Sequence, residues 1–222
     1  MYARHKLVWL SAEGWLAARA SAPVEHGAAL QRWQDNDWPL VARRRDAGQA
    51  SGESNRSLSL GLPLPPDPDS GVKVRIALQV PAATVARATD PLPLKDVLPA
   101  LPDAWRAAMT ALIDESVGLH LRVFGSTALQ ALTGLPYIGP ASDIDLLFYP
   151  QTAQQLRAGL ALLARHSAAL PLDGEIVFPR GEAVAWKEWR AAQDSHARVL
   201  VKEIDTVRLV PPNLLLATLG DV

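Results

Sequence analysis

The sequence predicts an α+β protein in two domains. Three observations carry that reading. Stretches with apolar residues at helical spacing are interleaved with stretches that alternate with period two, as half-buried strands do. A proline-rich segment, with prolines at 81, 91, 93, 99 and 102, divides the chain. Beyond it comes the order strand, Gly125-Ser126, short helix, loop, and a second strand carrying Asp143-Ile-Asp145. The expected domains are a small N-terminal α+β domain over residues 1–85 and a second domain over 86–222.

In the first domain, Ala12–Ala20 and Val24–Gln34 carry helical spacing until Pro39 breaks it. Leu40-Val-Ala42 reads as a short strand running into the basic loop Arg43-Arg44-Arg45. Gln49–Asn55 is small and polar, a loop or hairpin tip. Ser57–Leu60 and Val72–Val80 alternate as strands, and Pro63–Ser70 turns between them. The segment from Pro81 to Pro102 reads as a loop, too apolar at Val97, Leu98 and Leu101 to be a free tether.

In the second domain, Asp103–Gly118 is a helix with Trp105, Ala108, Met109, Leu112 and Ile113 on one face and Asp103 placed to cap it. Leu119–Phe124 is a strand, Thr127–Leu132 a short helix ending at Gly134, Asp143–Tyr149 a strand, and Thr152–His166 a helix. Leu172–Phe178 and Glu182–Trp186 form a hairpin across Pro179-Arg-Gly181. Val199–Val210 supplies a further strand or two, and Pro211-Pro212 opens a short last helix.

Composition narrows the function. The chain has 222 residues and a net charge of −1, which argues against a general binder of nucleic-acid polymers or membrane surfaces. It contains no cysteine, so disulfides and thiolate metal sites are excluded. The N-terminus lacks a long apolar core before a cleavage site, so a cytoplasmic protein is expected. Oligomeric state stays open.

Asp143 and Asp145, one residue apart on a strand, project to one face with Cα atoms about 6.5–7 Å apart. Paired carboxylates suit Mg2+, which takes carboxylate and phosphate oxygens and keeps some waters. Alone, such a pair also reads as a strand end with two solvated acids. The Gly-Ser turn shifts the balance: Gly125 lets backbone approach a ligand, and Ser126 starts a helix whose N–H groups can meet phosphate. A third acid is expected from Leu172-Asp173-Gly174-Glu175. Glu175 falls within the apolar alternation and is favoured slightly; Asp173, at the strand start or in a turn, stays open. Arg43, Arg44, Lys187 and Lys202 are candidates for phosphate binding, with Arg45, Arg122 and Arg190 as further cations. Trp186 and Trp189 are read as packing residues that could also stack on a base. His5 is the histidine to watch; His26, His120, His166 and His196 show no metal-ligand spacing.

Gly125-Ser126, Asp143-x-Asp145 and an acid on a third strand resemble the polymerase-beta type of nucleotidyltransferase, which implies a mixed sheet flanked by helices. Residues 122–137, Ser142–Leu147, Leu172–Pro179 and Ala183–Trp189 resemble the malonate decarboxylase holo-[acyl-carrier-protein] synthases, which are phosphoribosyl-dephospho-CoA transferases. Arg4–Leu10 and Asp37–Arg44 are similar to that family's N-terminal domain. The resemblance implies a 2'-(5''-triphosphoribosyl)-3'-dephospho-CoA donor. It implies as acceptor a serine of the apo acyl carrier protein subunit of malonate decarboxylase, and loss of pyrophosphate. It places Mg2+ on Asp143, Asp145 and the third acid, with Gly125 and Ser126 on the leaving pyrophosphate. Two alternatives remain: another nucleotidyltransferase, adenylylating a small molecule or a protein, and a non-catalytic binding module on the same fold.

Overall fold

The computed structural model describes residues 2–45, 57–192 and 197–220. The chain divides into Met1–Pro91 and Leu92–Val222, a few residues later than the 85/86 boundary expected. The reason is a strand inside the proline-rich segment.

The first unit runs β1 (Leu7–Leu10), α1 (Ala12–Ser21), a 3-10 turn and α2 (Gly27–Asp35), β2 (Leu40–Ala42), β3 (Ser57–Pro63), β4 (Arg75–Pro81) and β5 (Val85–Thr89). The strands form one antiparallel sheet in the order β4-β3-β2-β1-β5. Ser11 caps α1 by accepting the Gly14 N–H. Helices this short are not stable alone in water. Burial of Trp15 and Ala18 from α1, and of Leu30 and Trp33 from α2, holds them. The Trp33 indole donates to the Pro39 carbonyl, which satisfies its one polar group inside the core. β5 replaces part of the loop expected over 81–102. Its prolines flank the strand at an edge of the sheet, where no ladder bond is lost.

The second unit runs β6 (Leu92–Pro93), α3 (Leu94–Val97), α4 (Asp103–Glu115), β7 (Leu121–Phe124), α5 (Gly125–Thr133), β8 (Ile144–Phe148) and α6 (Ala153–His166). It continues with β9 (Leu172–Val177), β10 (Ala183–Ala185), α7 (Trp186–Ala191), β11 (Val199–Lys202), β12 (Val207–Val210) and α8 (Pro212–Leu216). The sheet order is β12-β11-β10-β9-β8-β7-β6. It is mixed: β8 and β9 are parallel, joined through α6, and the other neighbours are antiparallel. The protein is thus α+β. Ile144, Leu146 and Phe148 of β8, Leu172 and Ile176 of β9, and Val184, Val199 and Val201 point to one face and join the core with α3, α4 and α6.

Two local expectations differ. Pro102, not Asp103, occupies the cap of α4; Asp103 lies in the first turn and pairs with Arg106 at 2.9 Å. The second hairpin strand ends at Ala185, and Trp186 opens α7 instead, because burying both Trp186 and Trp189 needs helical spacing. Residues 49–55 and His196 lie outside the described residues. No helix among the described residues is long and apolar enough to cross a membrane.

Candidate active site

β7 ends extended at Phe124, and the chain turns into α5 at Gly125, whose φ is +67°. That left-handed value costs a residue with a Cβ about 1–2 kcal/mol. A second constraint is steric. Antiparallel pairing sets Phe124 opposite Asp145, and a Cβ on Gly125 would lie 2.2 Å from Asp145 Oδ2. The glycine therefore lets the turn and the carboxylate occupy adjoining space. Ser126, half-buried, follows in the first turn of α5, where unpaired helix N–H groups favour an anion.

Asp143 is exposed and immediately precedes β8; Asp145 is half-buried within it. Ser142 fixes the approach, because its Oγ accepts the Gly139 N–H at 2.9 Å. The parallel register pairs Asp145 with Asp173 and Leu147 with Glu175. Side chains on paired residues share a face, so Asp145, Asp173 and Glu175 lie on the side of the sheet opposite the core. The close β8–β9 approach requires Gly174. A Cβ there would lie 1.9 Å from the Leu146 carbonyl oxygen, and φ is +129°.

The register thus places Asp173, rather than the favoured Glu175, directly beside Asp145. Glu175 is 6 % exposed and binds Lys202, whose Nζ is 2.9 Å from Oε1. Lys202 reaches it from β11 across β10, where Ala183 pairs with Lys202 and Ala185 with Glu175. Lys187, from the first turn of α7, lies 3.6 Å from Asp173 Oδ1. Both lysines expected to bind phosphate are therefore engaged by the acids of β9. Arg43 and Arg44 belong to the first unit.

Among the described residues, no three His, Cys, Asp or Glu side chains form a metal cage. Mg2+ does not require one. It commonly takes one or two protein carboxylates and completes its octahedron with substrate phosphate and water. The Asp143–Asp145 pair, with the anion-favouring turn of α5 packed against Asp145, fits that donor set.

The aromatic residues here are structural. Trp186 and Trp189 are buried, and the Trp189 ring sits 5.1 Å from that of Phe178. Arg122, on the acids' face of β7, donates from Nε to His120. The Gly125–Asp145 contact and the Asp145–Asp173 pairing were not read from the sequence. Gly125 in its turn and Gly174 next to Asp173 were the available signals.

The phosphoribosyl-dephospho-CoA transferase MdcG family models match the chain twice: the N-terminal domain over residues 3–91 and the C-terminal domain over 93–213. The chain belongs to the phosphoribosyl-dephospho-CoA transferase family. The division between the two matched regions coincides with that between the two structural units. A phosphoribosyl-dephospho-CoA transferase of Xanthomonas campestris pv. campestris is 41 % identical over 217 residues, 95 % of each chain. One from Bradyrhizobium diazoefficiens is 34 % identical over 212 residues, covering 93 % of this chain and 89 % of the relative. One from Azotobacter vinelandii is 36 % identical over 94 residues, 42 % of each. No solved structure matches this chain significantly. Gly125, Ser126 and all the acids considered above fall within the region similar to the family's C-terminal domain.

Proposed function

We propose that this chain transfers the 2'-(5''-phosphoribosyl)-3'-dephospho-CoA group from its triphosphate donor to a serine of the apo acyl carrier protein subunit of malonate decarboxylase. The observation that carries the chemistry is the packing of the Gly125-Ser126 turn against Asp145, with Asp173 beside it. Family membership supports the donor.

The serine Oγ attacks the phosphorus nearest the ribose. The bond from that phosphorus to the bridging oxygen breaks, pyrophosphate leaves, and a phosphodiester remains on the carrier. The serine proton passes to Asp173, the carboxylate that strand register sets beside Asp145. Little covalent work falls to the protein in such a transfer, so positioning and charge dominate. Asp143 and Asp145 would hold Mg2+, which neutralises charge on the phosphates when bound. The N–H groups at the start of α5 and the Ser126 hydroxyl hold the departing phosphates. The Glu175–Lys202 pair fixes β9 against β11 and so orients Asp173.

The test incubates the chain with apo carrier subunit, Mg2+ and either the triphosphoribosyl donor or ATP, reading carrier mass and pyrophosphate. The expected result is a mass gain with the triphosphoribosyl donor, abolished by EDTA and reduced about a hundredfold or more by D145N. A mass gain with ATP alone would replace this reading with adenylylation. Full activity in D145N would remove the metal assignment.

A further inference from the structure

The acids' face supplies negative charge, and its two lysines are already ion-paired, yet a triphosphate donor carries several negative charges of its own. The first unit contains a concentration of cations that the strand ladder assembles. The His5 N–H donates to the Ala42 carbonyl and the Ala42 N–H to the Lys6 carbonyl, each at 2.8 Å. Both bonds are to Ala42, so the Arg4-His5 turn and Lys6 adjoin the start of Arg43-Arg44-Arg45, although the two triplets are far apart in sequence. Arg43 extends the ladder, its N–H bonding the Ser59 carbonyl and its Nε the Leu60 carbonyl. Arg44 is exposed, Arg4 is half-buried with Nη2 3.2 Å from His5 Nε2, and Lys6 pairs with Asp90 at 2.8 Å.

The backbone carries a second signal. His5 has φ +67°, a left-handed value that L-residues keep only where their surroundings enforce it, and such residues concentrate at ligand sites. Here Arg4 and His5 form a turn closed by the Lys6 N–H on the Ala3 carbonyl. Guanidinium groups set side by side match phosphate oxygens in a forked geometry that a single lysine cannot supply.

We propose that Arg4, His5, Lys6, Arg43, Arg44 and Arg45 form a polyphosphate-binding site in the first unit, separate from the carboxylates. Its occupant as the donor's phosphate chain rests on the function proposed above; the site itself does not. Full-length D145N is titrated calorimetrically with inorganic triphosphate at low salt, and compared with D145N carrying R4A and R44A. The expected result is binding by D145N that weakens at least tenfold on removal of the two arginines and falls steeply with added salt. In the otherwise native chain, R4A/R44A raises the donor KM at least tenfold while kcat changes less than threefold. R4K/R44K recovers part of the loss. If the double variant does not fold, R44A alone serves at its exposed position, with about a threefold loss expected. Equal triphosphate binding with and without the arginines overturns the site. Failure of the transferase reading shows separately, as no carrier mass gain by the native chain while the titration still reports binding.

Discussion

Replacing Gly125 by alanine tests the proposed site with an internal control in the same helix. At Gly125 the new methyl group would sit 2.2 Å from Asp145 Oδ2 and 3.1 Å from Cγ, where ordinary contacts begin near 3.4 Å. The carboxylate must retreat by roughly 1 Å, and a misplacement on that scale costs on the order of a hundredfold in rate. The left-handed backbone adds about 1–2 kcal/mol of destabilisation. Gly134, which closes the other end of α5, has φ +70°, and a methyl group added there would meet nothing within 4 Å. G134A therefore bears the backbone cost alone. Both variants should lower the melting midpoint by about 2–4 °C per kcal/mol lost. Only G125A should lose kcat for carrier loading, measured by mass spectrometry at saturating donor. Equal kcat in the two variants would refute the claim that Gly125 exists to admit Asp145.

Three further outcomes follow from the same geometry. K202M removes the ammonium from the buried Glu175 carboxylate and should cost about 1–3 kcal/mol in urea unfolding; adding E175Q should recover much of it. G174A puts a methyl 1.9 Å from the Leu146 carbonyl oxygen, so β8 and β9 cannot pair as they do; the expected result is loss of the cooperative melting transition. Glu115 accepts a hydrogen bond from Arg165 and lies 3.3 Å from His166 Nε2, and these contacts hold its carboxyl below the usual range. Because the folded value is depressed, this contribution is present above the ordinary glutamate value of about 4.3 and is lost as pH falls through the lower folded value. E115Q should thus melt earlier than the native chain near pH 6 and together with it in strong acid.

Most strands and helices were legible because periodicity and burial agree. Ile144–Phe148 and Arg75–Pro81 fall within or close to the segments whose apolar pattern announced them. β5 was not legible. Val85-Ala-Arg-Ala-Thr89 is an edge strand with no buried residue, so it lacks the alternation that burial imposes, and the surrounding prolines suggest a loop. The short helix α7 was hidden for a related reason: Trp186 continues the apolar pattern of the preceding strand until its burial together with Trp189 selects a helix. The acids themselves were visible, but their partners were not. Which β9 carboxylate meets Asp145 depends on strand register, and the pattern of residues 149–171 does not announce that register before the chain is folded. The approach of His5 and Lys6 to Ala42, and so to the start of Arg43–Arg45, likewise depends on a pairing that only the folded sheet reveals.

That register has a mechanical origin at some distance from the acids. The Phe148 ring lies where a side chain on Gly159 would be, and a Cβ placed there would come within 2.2 Å of the ring's tip. Gly159 is in α6, the segment that carries the chain from β8 to β9. The ring against the helix therefore acts as a depth stop, setting how far α6 has advanced when the chain re-enters the sheet. A slip of one residue would bring Leu172 or Gly174 opposite Asp145 and turn Asp173 towards the apolar side. Enlarging Gly159, remote from any phosphate, should thus present as a catalytic lesion, and a screen sorting variants by distance from the acids would misfile it.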